Sequence, residues 1–123
     1  MAKIERNLRG NFDNVLSAIE NKIMYGSISA SFEAGSDYRM DNVRCAVRVF
    51  ERYSWIGSSR VSLNLTLIGV EQNLFLSAIS SGGSQAVFFK INTFGEDAFL
   101  NSIMDVIRIY EAPYEFTSPK ESE

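Results

Sequence analysis

The sequence predicts an α+β fold: a two-layer domain with a curved antiparallel sheet of about five or six strands and two helices on one face. Three observations carry this prediction. Residues 42–80 hold three strand-like runs separated by turn signals. The second run alternates strictly, with Val61, Leu63, Leu65 and Leu67 on one parity and Arg60, Ser62, Asn64 and Thr66 on the other, the mark of an antiparallel strand with one buried and one wet face. Stretches before and after these runs repeat their apolar residues at helical spacing.

In chain order, residues 3–8 read as a first edge strand, with Ile4 and Leu8 sharing a parity. Asn11 is a fair helix N-cap, and Asp13 lies in the first turn, where the helix dipole favours an acid. A helix is expected over residues 12–25, its stripe formed by Phe12, Val15, Leu16, Ile19 and Ile23, and Gly26 ends it. Residues 27–33 alternate again, with Ile28, Ala30 and Phe32 inward. Residues 34–41 (AGSDYRMD) read as a polar connection. In the next run Val43, Cys45, Val47 and Val49 are expected to face the core, with Arg44, Ala46, Arg48 and Arg52 outward. Turns follow at residues 56–59 and 69–73. The third run places Leu74, Leu76 and Ala78 on one face and Phe75 and Ile79 on the other.

The glycines of Ser81-Gly82-Gly83-Ser84-Gln85 sit between strand-like runs with no Lys-Ser/Thr after them, which makes a β-turn the better reading than a phosphate loop. Residues 86–93 form a further β-rich run. Thr93-Phe94-Gly95-Glu96 matches a capping box, and Phe99, Leu100, Ile103, Met104, Val106, Ile107 and Tyr110 give the second helix a wide apolar face. Residues 1–112 are expected to form one domain and residues 113–123 a flexible tail.

The order β-α-β(4-5)-α is similar to that of the TATA-box-binding-protein-like fold and of the small helix-grip, or START-like, fold. That likeness covers topology only and carries over no functional residue. The segments RCAVRVFERYSW, RVSLNLTL and LFLSAISSGGSQAVFFKINTFGE together resemble a small uncharacterised bacterial family, a domain of unknown function, across nearly the whole chain. The resemblance implies no activity.

Composition narrows the chemistry. The 123 residues contain no histidine and a single cysteine. Ser-His-Asp and Cys-His catalysis, His-ligated metals and thiolate zinc sites are thereby excluded, and no cofactor is expected. Cys45 reads as a small core hydrophobe. The start, MAKIERNLRG, has no apolar signal segment, and no run approaches the ~18 apolar residues of a membrane span. A cytoplasmic protein with no membrane partner is expected. The net charge of −3 argues against non-specific nucleic-acid binding.

The candidate site is an arginine ladder. Arg44, Arg48 and Arg52 share a strand face, and Arg60 on the next strand is expected near Arg52. Three readings are open: a solvated face paired with Glu33 or Glu71, a self-complementary homodimer interface, or a site for an anionic ligand. Glu51 falls on the apolar parity of its run. It marks either a bulge or strand end, or a carboxylate in an apolar pocket. A non-enzymatic binding or self-assembly module is the main functional reading. The alternative is a carrier or enzyme with an apolar small-molecule cavity between sheet and C-terminal helix, lined by Tyr53, Phe89 (or Phe88), Phe99 and Ile103.

Overall fold

The computed structural model describes residues 1–26, 29–54, 59–82 and 100–113. Its elements are β1 (Ala2–Arg9), α1 (Phe12–Gly26), β2 (Ser31–Met40), β3 (Val43–Ser54), β4 (Ser59–Val70), β5 (Asn73–Gly82) and α2 (Met104–Tyr110). The strands form one antiparallel sheet in the order β1-β5-β4-β3-β2. The expected α+β class, with the order β-α-β4-α, is therefore the observed one. β1 ends beside the Glu71-Gln72 turn and β2 begins at the other end of the strands, opposite Glu51. α1, whose 15 residues span about 22 Å, therefore returns the chain along the sheet and meets β3 through both Asp13 and Glu20.

One face of the sheet is the core. Leu63, Leu65 and Leu67 of β4 and Leu74, Leu76 and Ala78 of β5 lie beneath Phe12, Val15, Leu16, Ile19 and Ile23 of α1 and Ile107 of α2. Leu100 and Ile103, just before α2, are also buried. Both helices therefore lie on the same face. Ser80, buried among these residues, donates its hydroxyl to Ser62 O at 3.0 Å. No helix among the described residues is long and apolar enough to cross a membrane.

The structure corrects the reading at two places and adds a third feature inside the expected domain. First, the parity of β3 is inverted. Arg44, Ala46, Arg48, Phe50 and Arg52 lie opposite Gly69, Leu67, Leu65, Leu63 and Val61 and so share the helix-covered face. Ala46 and Phe50 are fully buried there, while Val43, Cys45, Val47 and Val49 turn to the other face. A shift of one residue exchanges the faces of a strand, and here the buried bulk of Phe50 and the helix's own charges decide. Second, residues 34–41 are not a connection: they make most of β2. Its residues read as polar because an edge strand is exposed on both faces, and all but Ser31 are exposed. The register slips by one between Phe32 and Ala34, so that Glu33 is the extra residue of a β-bulge. Third, pairing continues past α2. Glu111 bridges Leu8, and the Ala112 N–H donates to Asn7 O at 2.9 Å. The run at 86–93, the capping box at 93–96 and most of the expected tail lie outside the described residues.

Both turns at one end of the sheet are two-residue hairpins, Asp41-Asn42 and Glu71-Gln72. Their first residues have φ of 53° and 56°, a region that costs a non-glycine residue about 1–2 kcal/mol. Gly69 lies inside β4, not in the turn. A Cβ there would collide with Leu74 Cδ2 and come within 3.1 Å of Phe12 Cδ2. Both side chains are held in the core, so neither can move aside freely. Gly69→Ala is expected to destabilise the fold by about 1–3 kcal/mol, read as a lower urea midpoint with an unchanged slope.

Candidate functional site

The arginine ladder lies between the sheet and α1. Arg44 donates from Nη1 and Nη2 to Asp13 Oδ2 and Oδ1 at 3.1 and 2.9 Å, a bidentate pair. Its guanidinium carbon lies 4.3 Å from the centre of the Phe12 ring, within the range of a cation–π contact. Gly69, Phe12, Arg44 and Asp13 thus stack outward from sheet to solvent at the start of α1. Hydrogen bonds from Arg44, with its charge in support, hold the Asp13 carboxyl below its ordinary value. The same hydrogen bonds raise Arg44.

Arg48 is the more buried of the two, its side chain only 13% exposed. It donates from Nε to Glu20 of α1 at 2.7 Å, from Nη2 to Asp37 of β2 at 2.9 Å, and from Nη1 to Ser36 O and Val47 O at 3.1 and 3.0 Å. One guanidinium therefore ties the edge strand, its neighbour and the helix together. Gly35 makes room for it: a Cβ there would come within 3.1 Å of Arg48 Cδ. Burial pulls the Arg48 pKa down, but Asp37 and Glu20 more than offset this and leave it raised. Arg52 shares the face, and burial lowers its pKa.

Arg60 does not join the ladder. It lies on the opposite face of the sheet, where it pairs with Glu51 at 3.1 Å and sits 5.9 Å from the centre of the Tyr53 ring. Glu51 is thus an ion-paired residue of the wetter face and not a carboxylate in an apolar pocket. Its parity needs no bulge in β3, because the odd positions of that strand are the helix-free ones. Neither Glu33 nor Glu71 pairs with Arg44 or Arg48. Asp13, Glu20 and Asp37 do, and a sequence signal for two of them was present. Asp13 and Glu20 are seven residues apart, about 10.5 Å along one helix face. Arg44 and Arg48 are four apart, about 13–14 Å along a strand.

Of the cavity-lining set, the two described members, Tyr53 and Ile103, are not brought together. Tyr53 is 55% exposed on the helix-free face, while Ile103 is fully buried in the core. Phe88, Phe89 and Phe99 lie outside the described residues. An open depression of about 370 Å³ occurs elsewhere, where the two tight turns meet the start of α1. Arg39 and Arg44 line it, but so do Asp13 and Glu71, so it offers no net charge to select an anion. No group of His, Cys, Asp or Glu suited to a metal ion occurs among the described residues.

The helix-free face carries the least expected feature. Pairing places Met40, Val43 and Val70 in one cross-strand row and Tyr38, Cys45, Ile68 and Phe75 in the next. Tyr38 and Met40 are more than half exposed, and Val70, Ile68 and Phe75 are 42%, 40% and 36% exposed. Val47 and Val49 extend the patch along β3.

These features define a two-layer α+β domain with an internal arginine clamp on one side of its sheet and an uncovered apolar patch, among the described residues, on the other. The chain belongs to a family of unknown function, DUF6054, whose profile matches residues 1–111. No curated protein and no solved structure matches it.

The clamp makes two predictions. Arg48→Ala is expected to cost about 1.5–3 kcal/mol in chemical denaturation, the scale of hydrogen bonds to charged groups. Arg48→Lys should recover only part of this, because an ammonium cannot reproduce the planar fork. For Asp13 the folded pKa lies below the ordinary 3.8, so its contribution is present above that pH and is lost as pH falls through the lower folded value. Asp13→Asn should therefore lower the melting temperature at pH 7, with the difference from the unsubstituted protein closing as pH falls below 3.8 and through the lower folded value.

Proposed function

We propose that this chain is a non-enzymatic cytoplasmic assembly module that buries the helix-free face of its sheet against another protein surface, a second copy of itself being the simplest case. The observation that carries this reading is the inverted polarity of β3. The strand turns arginines toward its helices and Val43, Cys45, Val47 and Val49 away from them. That register serves Phe50 and the acids of α1, and it leaves four apolar side chains on a face that no described helix covers. The valine side continues into the exposed rows of Tyr38, Met40, Ile68, Val70 and Phe75. Contiguous exposed apolar surface of this kind marks interaction sites.

The arginines no longer support an anionic-ligand reading, since Arg44 and Arg48 are engaged by Asp13, Glu20 and Asp37. Tyr53, on the helix-free face, drops out of the lining of a carrier cavity at the predicted place. Native mass spectrometry and light scattering are expected to give a mass above that of one chain. Cys45 lies within the patch and serves as a built-in reporter, with maleimide labelling slowing as protein concentration rises. Phe75→Glu should lower the assembled mass and restore labelling without changing the circular dichroism. A single-chain mass at every concentration, with labelling independent of concentration, would falsify self-assembly.

A further inference from the structure

The two edges of the sheet differ. β1 is partly closed by the bridge from Leu8 to Glu111 and by the hydrogen bond from Ala112. β2 pairs only with β3 among the described residues, leaving its outer edge open. An open, regular edge is a template for another strand. Past the bulge, β2 runs regularly from Ala34 to Met40.

We infer that β2 pairs with β2 of a second copy, antiparallel and centred on Tyr38, so that the two sheets become one. This rests on the self-assembly reading above and names the strand and register. A two-fold axis perpendicular to the sheet keeps both helix layers on one side and sets residues of equal parity opposite each other. The four positions from Ser36 to Arg39 differ as centres. Centring on Asp37 or on Arg39 sets like charges face to face. Centring on Ser36 sets Gly35 against Asp37 and leaves Arg39 opposite the Glu33 bulge, outside the regular stretch. Centring on Tyr38 sets Asp37 against Arg39 twice, Tyr38 against Tyr38 and Ser36 against Met40.

The backbone and the charges both suit this register. Arg48 Nη1 reaches Ser36 O and Val47 O together, which places those carbonyls between β2 and β3. By alternation the N–H and C=O of Asp37 and Arg39 face the open edge, where they meet as a hydrogen-bonded pair. Arg39 is exposed, sits directly opposite Arg44 in the sheet, and makes no hydrogen bond or ion pair among the described residues. The second copy supplies its acid: Asp37, already held in place by Arg48 at 2.9 Å. On the helix-free face Tyr38 and Met40 of both copies meet across the axis, joining the two apolar patches.

The test uses Phe75→Glu throughout, which removes the face-to-face contact but lies far from β2. Cys45→Ser is added because Cys45 is the cross-strand neighbour of Tyr38 and would capture a new thiol there. In this background Tyr38→Cys is expected to give a covalent dimer under mild oxidation. Self-opposed residues at a non-hydrogen-bonded position have Cα atoms about 4.5 Å apart, within the range of a disulfide. Ser36→Cys should not crosslink. In the background without new cysteines, light scattering should show a dimer, and Arg39→Asp should weaken it about tenfold or more by opposing two acids. Circular dichroism and melting temperature serve as folding controls. A dimer that crosslinks at 36 and not at 38, or that ignores Arg39→Asp, overturns the register. If Phe75→Glu alone produces a monomer from an assembled protein, edge pairing is wrong and the face-to-face reading stands. If the unsubstituted protein is itself a monomer, both fail.

Discussion

The structure depends on Arg48. Its guanidinium lies between sheet and helix, with donors committed to α1, to β2 and to its own strand. A charge this buried is tolerable only when all its partners are present. That condition fixes several things at once. Glu20 must face the sheet, which sets the rotation of α1. Asp37 must lie on the same side, which sets the face of β2 after its bulge. Gly35 must lack a side chain, because the arginine passes over it. Arg44 repeats the device a turn away from the sheet's centre, and its partner Asp13 sits in the first turn of α1, where the helix dipole already favours an acid.

This clamp explains why β3 lies as it does. A shift of one residue would place Val43, Cys45, Val47 and Val49 under α1 and gain apolar burial. It would also expel Phe50 and Ala46 from the core and leave Asp13 and Glu20 without partners. The register observed keeps the largest side chain of the strand inside and satisfies the acids of α1. Apolar surface on the helix-free face is the consequence.

The elements that contribute a simple stripe to the core were legible in the sequence. Ile4 and Leu8 of β1, the five-residue stripe of α1, the leucines of β4 and Leu74, Leu76 and Ala78 of β5 all face where alternation or helical spacing puts them. β3 was misread because both of its parities contain apolar residues. The deciding ones, Ala46 and Phe50, were outnumbered by valines. β2 was misread because a strand exposed on both faces has no alternation to show. The ladder was legible as a set, but not its partners. Arg44 and Asp13 are 31 residues apart, and Arg48 and Glu20 are 28 apart. No local pattern reports a contact at that separation. The matching spacings on helix and strand could have suggested it, once α1 was known to lie along β3.

The topology also decides which surfaces remain for other molecules. Because β1 and β2 stand at opposite edges, the connection between them includes α1, which lies over the sheet along β3. α2 then packs beside α1 and β1, and the residues after it join the edge of β1. Both helices are thus used on one face, and the closing segment is used on one edge. The opposite face and the opposite edge meet at Tyr38 and Met40, which belong to the exposed apolar rows and to the outermost strand together. The bulge at Glu33 sits at the far end of that strand, where it sets Phe32, though more than half exposed, on the helix-covered face against Phe50, their ring centres 5.8 Å apart. That contact holds one half of β2 against its own chain. The other half, beyond the bulge, keeps regular geometry, one engaged acid and one unengaged arginine. A strand divided in this way holds its own sheet with one end and presents the other.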